Sequence, residues 1–139
     1  MKKIKIYYAH TMSPLPSKVS SKNARRLQKL LGDKFDVTYA EQWETTTAFE
    51  VVSKVDLAAI RAARITIVDL SNFGDVYANS VLKHRGTNFE HGYARAMNKD
   101  VYIYKDRQLA HPFRLECISH FDSMPQMAAF LRKRYTNVK

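Results

Sequence analysis

Apolar positions along the chain switch repeatedly between a period of two and a period near 3.6, and the two kinds of segment alternate. Residues 3–9 (KIKIYYA), rich in Ile and Tyr, predict a strand. The loop MSPLPS follows, and then a basic helical pattern in which Ala24, Leu27, Leu30 and Leu31 share a face and Gly32 marks the stop. FDVTY (residues 35–39) alternates as a second strand. Thr45, Thr46 and Thr47 offer caps for a helix running to about Arg64. The short β-branched run ITIVDL (residues 65–70) fits a central strand buried on both faces. After an irregular stretch, residues 71–86, the pattern predicts a helix from Thr87 to about Asn98 and a strand DVYIY (residues 100–104). A short strand within 117–121 and a final helix capped by Ser123 complete the series. Strands alternating with helices predict a single α/β domain over residues 1–139. The expected form is a flavodoxin- or Rossmann-like three-layer sandwich around a parallel sheet of about five strands.

Composition narrows the class. The chain is 45% hydrophobic and 26% charged with four Gly and four Pro, which excludes collagen-like and largely disordered classes. No apolar run reaches the roughly 20 residues of a membrane span. The opening MKKIKIYYAH lacks the apolar core of a signal peptide, so a cytoplasmic protein is expected. The single cysteine, Cys117, excludes an internal disulfide, and the five histidines show no ligand spacing, so no metal is expected. Lys and Arg number 23 against 13 Asp and Glu, a net charge of +10 that favours phosphate-bearing partners, nucleotide or nucleic acid. The basic C-terminal run Arg132, Lys133, Arg134 fits a solvated last helical turn as well as a nucleic-acid contact.

In open parallel sheets ligands bind beyond the carboxyl ends of the strands. That rule directs attention to residues 7–13, 69–90 and 105–111. Within GTNFEHGYARAMNK, Glu90 shares a helix face with Tyr93, Ala94 and Met97, which read as core. Two readings fit: a capping box in which Glu90 reaches back to Thr87, or an ionised carboxylate available as a nucleophile. Asp56 lies on the apolar stripe of Val52, Ala59 and Ile60, so it either edges that stripe in a salt bridge or serves chemistry. Tyr7 and Tyr8 must point to opposite sheet faces, one into core and one able to reach a strand-end site. The cationic run Lys83-His84-Arg85-Gly86-Thr87 enters a helix N-terminus, a favourable place for an anion, and also reads as a solvated loop. No G-x-G-x-x-G, Walker A loop or G-x-S-x-G elbow is present.

Three segments together resemble the nucleoside 2-deoxyribosyltransferase family and its relatives, the nucleoside 5′-monophosphate N-glycosidases: KIYYAH, VDLAAIRAARITIVDLS and GTNFEHGYARAMNKDVYIY. The last carries the family's G-T-x-F-E-x-G-Y-A signature. The resemblance implies that Glu90 is the nucleophile attacking C1′ of the sugar, that Tyr7 orients it, and that Asp56 assists departure of the base. It implies no cofactor, a nucleoside or nucleotide and a free base as substrates, and a homo-oligomer, with residues 135–139 one candidate contact. His10, Asp69, Asn72, His84, Arg85, Gly86 and Thr87 are the expected substrate-binding residues. The family's acidic residue before G-T is here His84-Arg85, and the glycine after its first strand is His10. Cations at that place favour a 5′-phosphate. Transfer of deoxyribose to another base is the expected activity in nucleotide salvage. A hydrolytic monophosphate N-glycosidase, a nicotinamide-dinucleotide glycohydrolase and a non-catalytic nucleotide- or nucleic-acid-binding module are the alternatives.

Overall fold

The computed structural model describes residues 2–10, 16–44, 51–71, 85–105 and 117–136. Five strands form one sheet: β1 (Ile4–Ala9), β2 (Phe35–Thr38), β3 (Ile65–Asp69), β4 (Asp100–Tyr104) and β5 (Ser119–Phe121). All neighbours pair in parallel, in the order β2-β1-β3-β4-β5. The helices are α1 (Pro16–Leu31), α2 (Glu41–Glu44), α3 (Val52–Ala62), α4 (Arg85–Ala96) and α5 (Met124–Thr136). This is the doubly wound α/β arrangement that the alternating pattern predicts, with its switch in strand order at β1 and β3.

Strand parity divides the core in two. Ile6, Tyr8, Ile65, Ile67, Tyr102 and Tyr104 face α1 and α5, where they meet Ala24, Leu27, Leu31, Met127, Ala128 and Leu131. Tyr7, Ala9, Val68, Val101 and Ile103 face the other way, onto Ile60 of α3 and Ala94 of α4. The two tyrosines therefore part as expected, Tyr7 at 1% exposure and Tyr8 at 0%. Every residue of β3 is buried because helices cover both of its faces. The helices α1 and α5 contain no acidic residue, so much of the chain's positive charge lies on the layer away from Tyr7.

Several boundaries differ from the pattern. In place of one long helix before β3 there are α2 and then α3, which starts at Val52 behind Val51 with no side-chain cap; Thr45, Thr46 and Thr47 lie outside the described residues. Helix α4 starts two residues before Thr87, which is buried inside the first turn and so cannot be the capping residue. At the far end, Asn98 adopts φ 56° and closes α4, with the Lys99 amide reaching the Ala94 carbonyl at 2.9 Å. Gly32 closes α1 at φ 80°, a backbone that a β-carbon disfavours. Ser123 caps α5 as expected, its Oγ accepting from the Gln126 amide at 3.4 Å.

The end of α5 is tied inward. Tyr135 donates to Asp100 Oδ2 at 2.6 Å and shares a 2.8 Å hydrogen bond with Tyr102, while the Arg64 guanidinium lies 4.9 Å over its ring. Tyr135 is thus committed to its own chain. Burial raises the ionisation of Tyr8, Tyr102, Tyr104 and Tyr135 above the ordinary value of 10.0. In the unfolded chain these phenols ionise first. Their contribution to stability is therefore full below about pH 10 and is lost as pH rises through the folded values. Melting temperature should fall steeply above about pH 10, and Tyr8→Phe should flatten that fall.

Candidate active site

Glu90 stands in the second turn of α4. One turn on, Ala94 is fully buried against the sheet, and its small side chain lets the helix approach closely enough for Glu90 to reach β1. There the Tyr7 hydroxyl donates to Glu90 Oε2. Tyr7 is held by the sheet on both sides, in register with Thr38 of β2 and Thr66 of β3, so its hydroxyl has a fixed origin. Glu90 itself is half-buried. The capping-box alternative fails, because α4 begins too early and the carboxylate is engaged by a strand residue instead.

Asp56 is half-buried on α3. Its Oδ1 accepts from the indole Nε1 of Trp43 at 2.7 Å. The Trp43 ring lies 6.3 Å from the Tyr7 ring, centroid to centroid, at an interplanar angle of 34°. Glu90, Tyr7, Trp43 and Asp56 consequently form one connected series on one face of the sheet, beside the β1/β3 switch point. Three of the four are the residues that sequence reading singled out. Trp43 is the one it passed over. Its signal is that it is the lone tryptophan, in EQWETTT.

The expected substrate-binding residues divide. Asp69 belongs to the opposite face, buried to 2%. It accepts from Tyr8 at 2.6 Å, from Asn23 Nδ2 at 3.1 Å and from the Ser71 amide at 2.8 Å. Burial first, and then the Asp69 charge, hold the Tyr8 hydroxyl protonated as a donor. His10 is also on that side, its ring 6.1 Å from Tyr8 and 6.5 Å from Tyr39. Arg85 and Gly86 open α4, and Thr87 follows in its first turn. Asn72 and His84 lie outside the described residues. Among the described residues no group of His, Cys, Asp and Glu could hold a metal ion, and no helix is long and apolar enough to cross a membrane.

A half-buried helix carboxylate gripped by a strand tyrosine, with a second carboxylate one aromatic ring away, gives a pair suited to nucleophilic displacement with assisted departure. Fold and site together define a doubly wound α/β protein with two half-buried carboxylates beside the switch point. A sequence profile described as nucleoside 2-deoxyribosyltransferase matches residues 6–127, and the chain belongs to that family of enzymes. Family membership brings a nucleoside or nucleotide and a base as its substrates.

Solved structures agree on the fold. The 2-deoxyribosyltransferase of Bacillus psychrosaccharolyticus superimposes with a TM-score of 0.66 at 19% identity, covering 89% of this chain and 90% of that one. The 2-desoxiribosyltransferase of Leishmania mexicana gives 0.56 at 27% identity, over 74% of this chain and 64% of that one. The CMP N-glycosidase BcmB of Clostridium botulinum gives 0.59 at 16% identity, over 94% and 98%. No curated protein matches the chain by sequence.

Proposed function

We propose that the protein cleaves the N-glycosidic bond of a 2′-deoxynucleoside, or of its monophosphate, through an ester between C1′ and Glu90, and passes the deoxyribosyl group to another base. The contact between Tyr7 and Glu90 carries this reading. A carboxylate oxygen of Glu90 attacks C1′ and the C1′–N bond breaks, its electron pair leaving with the base. The Tyr7 hydroxyl orients the carboxylate during attack. Asp56 assists the base as negative charge develops on its nitrogen, by a hydrogen bond or a proton. A ring nitrogen of the second base then attacks C1′, the C1′–O bond of the ester breaks to return the Glu90 carboxylate, and the proton of that nitrogen passes to Asp56. No cofactor is called for, since the covalent intermediate splits one difficult step into two. The protein acts in this reading as a cytoplasmic homo-oligomer in nucleotide salvage.

Chromatography of reactions with deoxynucleosides and their 5′-monophosphates, with and without a second base, tests the proposal. Exchange into the second base is the expected result; absence of both exchange and base release overturns it. A second reading, hydrolysis of a monophosphate, is favoured by His84 and Arg85, cations that stand just before Gly86-Thr87 in the sequence. Cations at that place suit a 5′-phosphate. Arg85→Ala should then lower kcat/KM for the monophosphate about tenfold while sparing the nucleoside. Equal losses on both substrates would remove Arg85 from the phosphate site.

A further inference from the structure

Trp43 is the chain's single tryptophan. It rides on α2, just past the end of β2, packs against the same core as Tyr7 and donates its indole N–H to Asp56 on a different helix. An indole N–H donates and never accepts, so its pairing with a carboxylate has one sense only. A half-buried aspartate has rotamer freedom of its own, which a donor arriving from a separate element removes. The same ring neighbours Tyr7, whose hydroxyl holds Glu90. Trp43 therefore sits between the residue that orients the nucleophile and the carboxylate on the leaving-group side.

We propose that Trp43 is a positioning residue for base departure: its N–H aims the Asp56 carboxylate at the departing base, and its ring sets the spacing between Asp56 and the Tyr7–Glu90 pair. The inference rests on the N-glycosidic reading above. It predicts that the Trp43 N–H acts only through Asp56 and only when the leaving base needs assistance.

The test compares wild type, Trp43→Phe, Asp56→Asn and the double variant on two substrates, 2′-deoxyguanosine and 7-methyl-2′-deoxyguanosine. The methylated base already carries positive charge and leaves as a neutral molecule without help. Trp43→Phe keeps most of the ring and loses the N–H. It should lower kcat on 2′-deoxyguanosine about tenfold with a smaller change in KM, and leave kcat on the methylated substrate within about twofold. The double variant should be no slower than Asp56→Asn alone, since both remove one coupled unit. Equal losses on the two substrates, or additive losses in the double variant, would overturn the proposal. A readout independent of turnover accompanies these: because Trp43 is the one indole, Asp56→Asn should shift its fluorescence emission. An unchanged spectrum would also overturn it. A shifted spectrum with no base release by wild type from any substrate would instead defeat the N-glycosidic reading, and with it any role for Trp43 in base departure, while leaving the contact in place. Thermal melts of each variant separate these outcomes from misfolding.

Discussion

Glu90→Ala should reduce base release by a factor of about a thousand or more while the protein stays folded. The residue is half-buried near the start of a helix, so truncation removes little packing; what disappears is the group Tyr7 holds. Were Glu90 only a structural acceptor for Tyr7, the same change would cost about 1 kcal/mol of stability and leave catalysis alone. Activity and melting temperature measured on one preparation thus separate the two roles. Glu90→Gln sharpens the comparison, because its amide oxygen can still accept from Tyr7 while its nucleophilicity is lost. Added azide provides a direct check of the nucleophile: in Glu90→Ala it can enter the emptied space, attack C1′ and restore base release with formation of a glycosyl azide. Base release by Glu90→Gln at the wild-type rate would end the covalent mechanism.

The largest effect on stability is expected at Asp69. Asp69→Ala leaves the Tyr8 hydroxyl, in a fully buried ring, without the acceptor at 2.6 Å, and removes the acceptor for Asn23 and the Ser71 amide as well. A buried donor stranded beside a lost charged acceptor costs about 3 kcal/mol, a large share of the stability of an ordinary domain. Tyr8→Phe should cost less, because Asp69 retains Asn23 and the Ser71 amide. Denaturant unfolding of the two variants gives the ordering, and the reverse order would show that the tyrosine, and not the aspartate, organises the cluster.

How much of this was legible in the sequence differs from residue to residue. Period-two runs and helical stripes gave the alternation of strands and helices, and the DVYIY strand matches its span, Asp100–Tyr104. Glu90 and Asp56 stood out because a carboxylate on an apolar stripe demands a partner. Their partners were harder to see. That Tyr7 and Tyr8 part was certain from strand geometry, but which one shares the face of Glu90 depends on how the helices wrap the sheet. The side on which Asp69 falls depends on the register of β3 against β1, Tyr8 opposite Ile67, which nothing local encodes. The pairing of Trp43 was hidden for a related reason: its acceptor lies 13 residues on, in another helix, and no periodic pattern links them. Thr87 misled because T-x-x-E is a cap only when the helix begins there, and here α4 already includes Arg85.

The sheet works as a partition between two workshops. On one side stand Glu90, Tyr7, Trp43 and Asp56; on the other, the acid-free pair of helices and the Asp69 cluster hold the frame. Changes made to the outer surface of α1 and α5 meet the Glu90 cluster only through a wall of backbone hydrogen bonds. An engineer can therefore recolour that outer layer, neutralising its charge or attaching a tag there, and expect the Tyr7–Glu90 contact to keep its geometry.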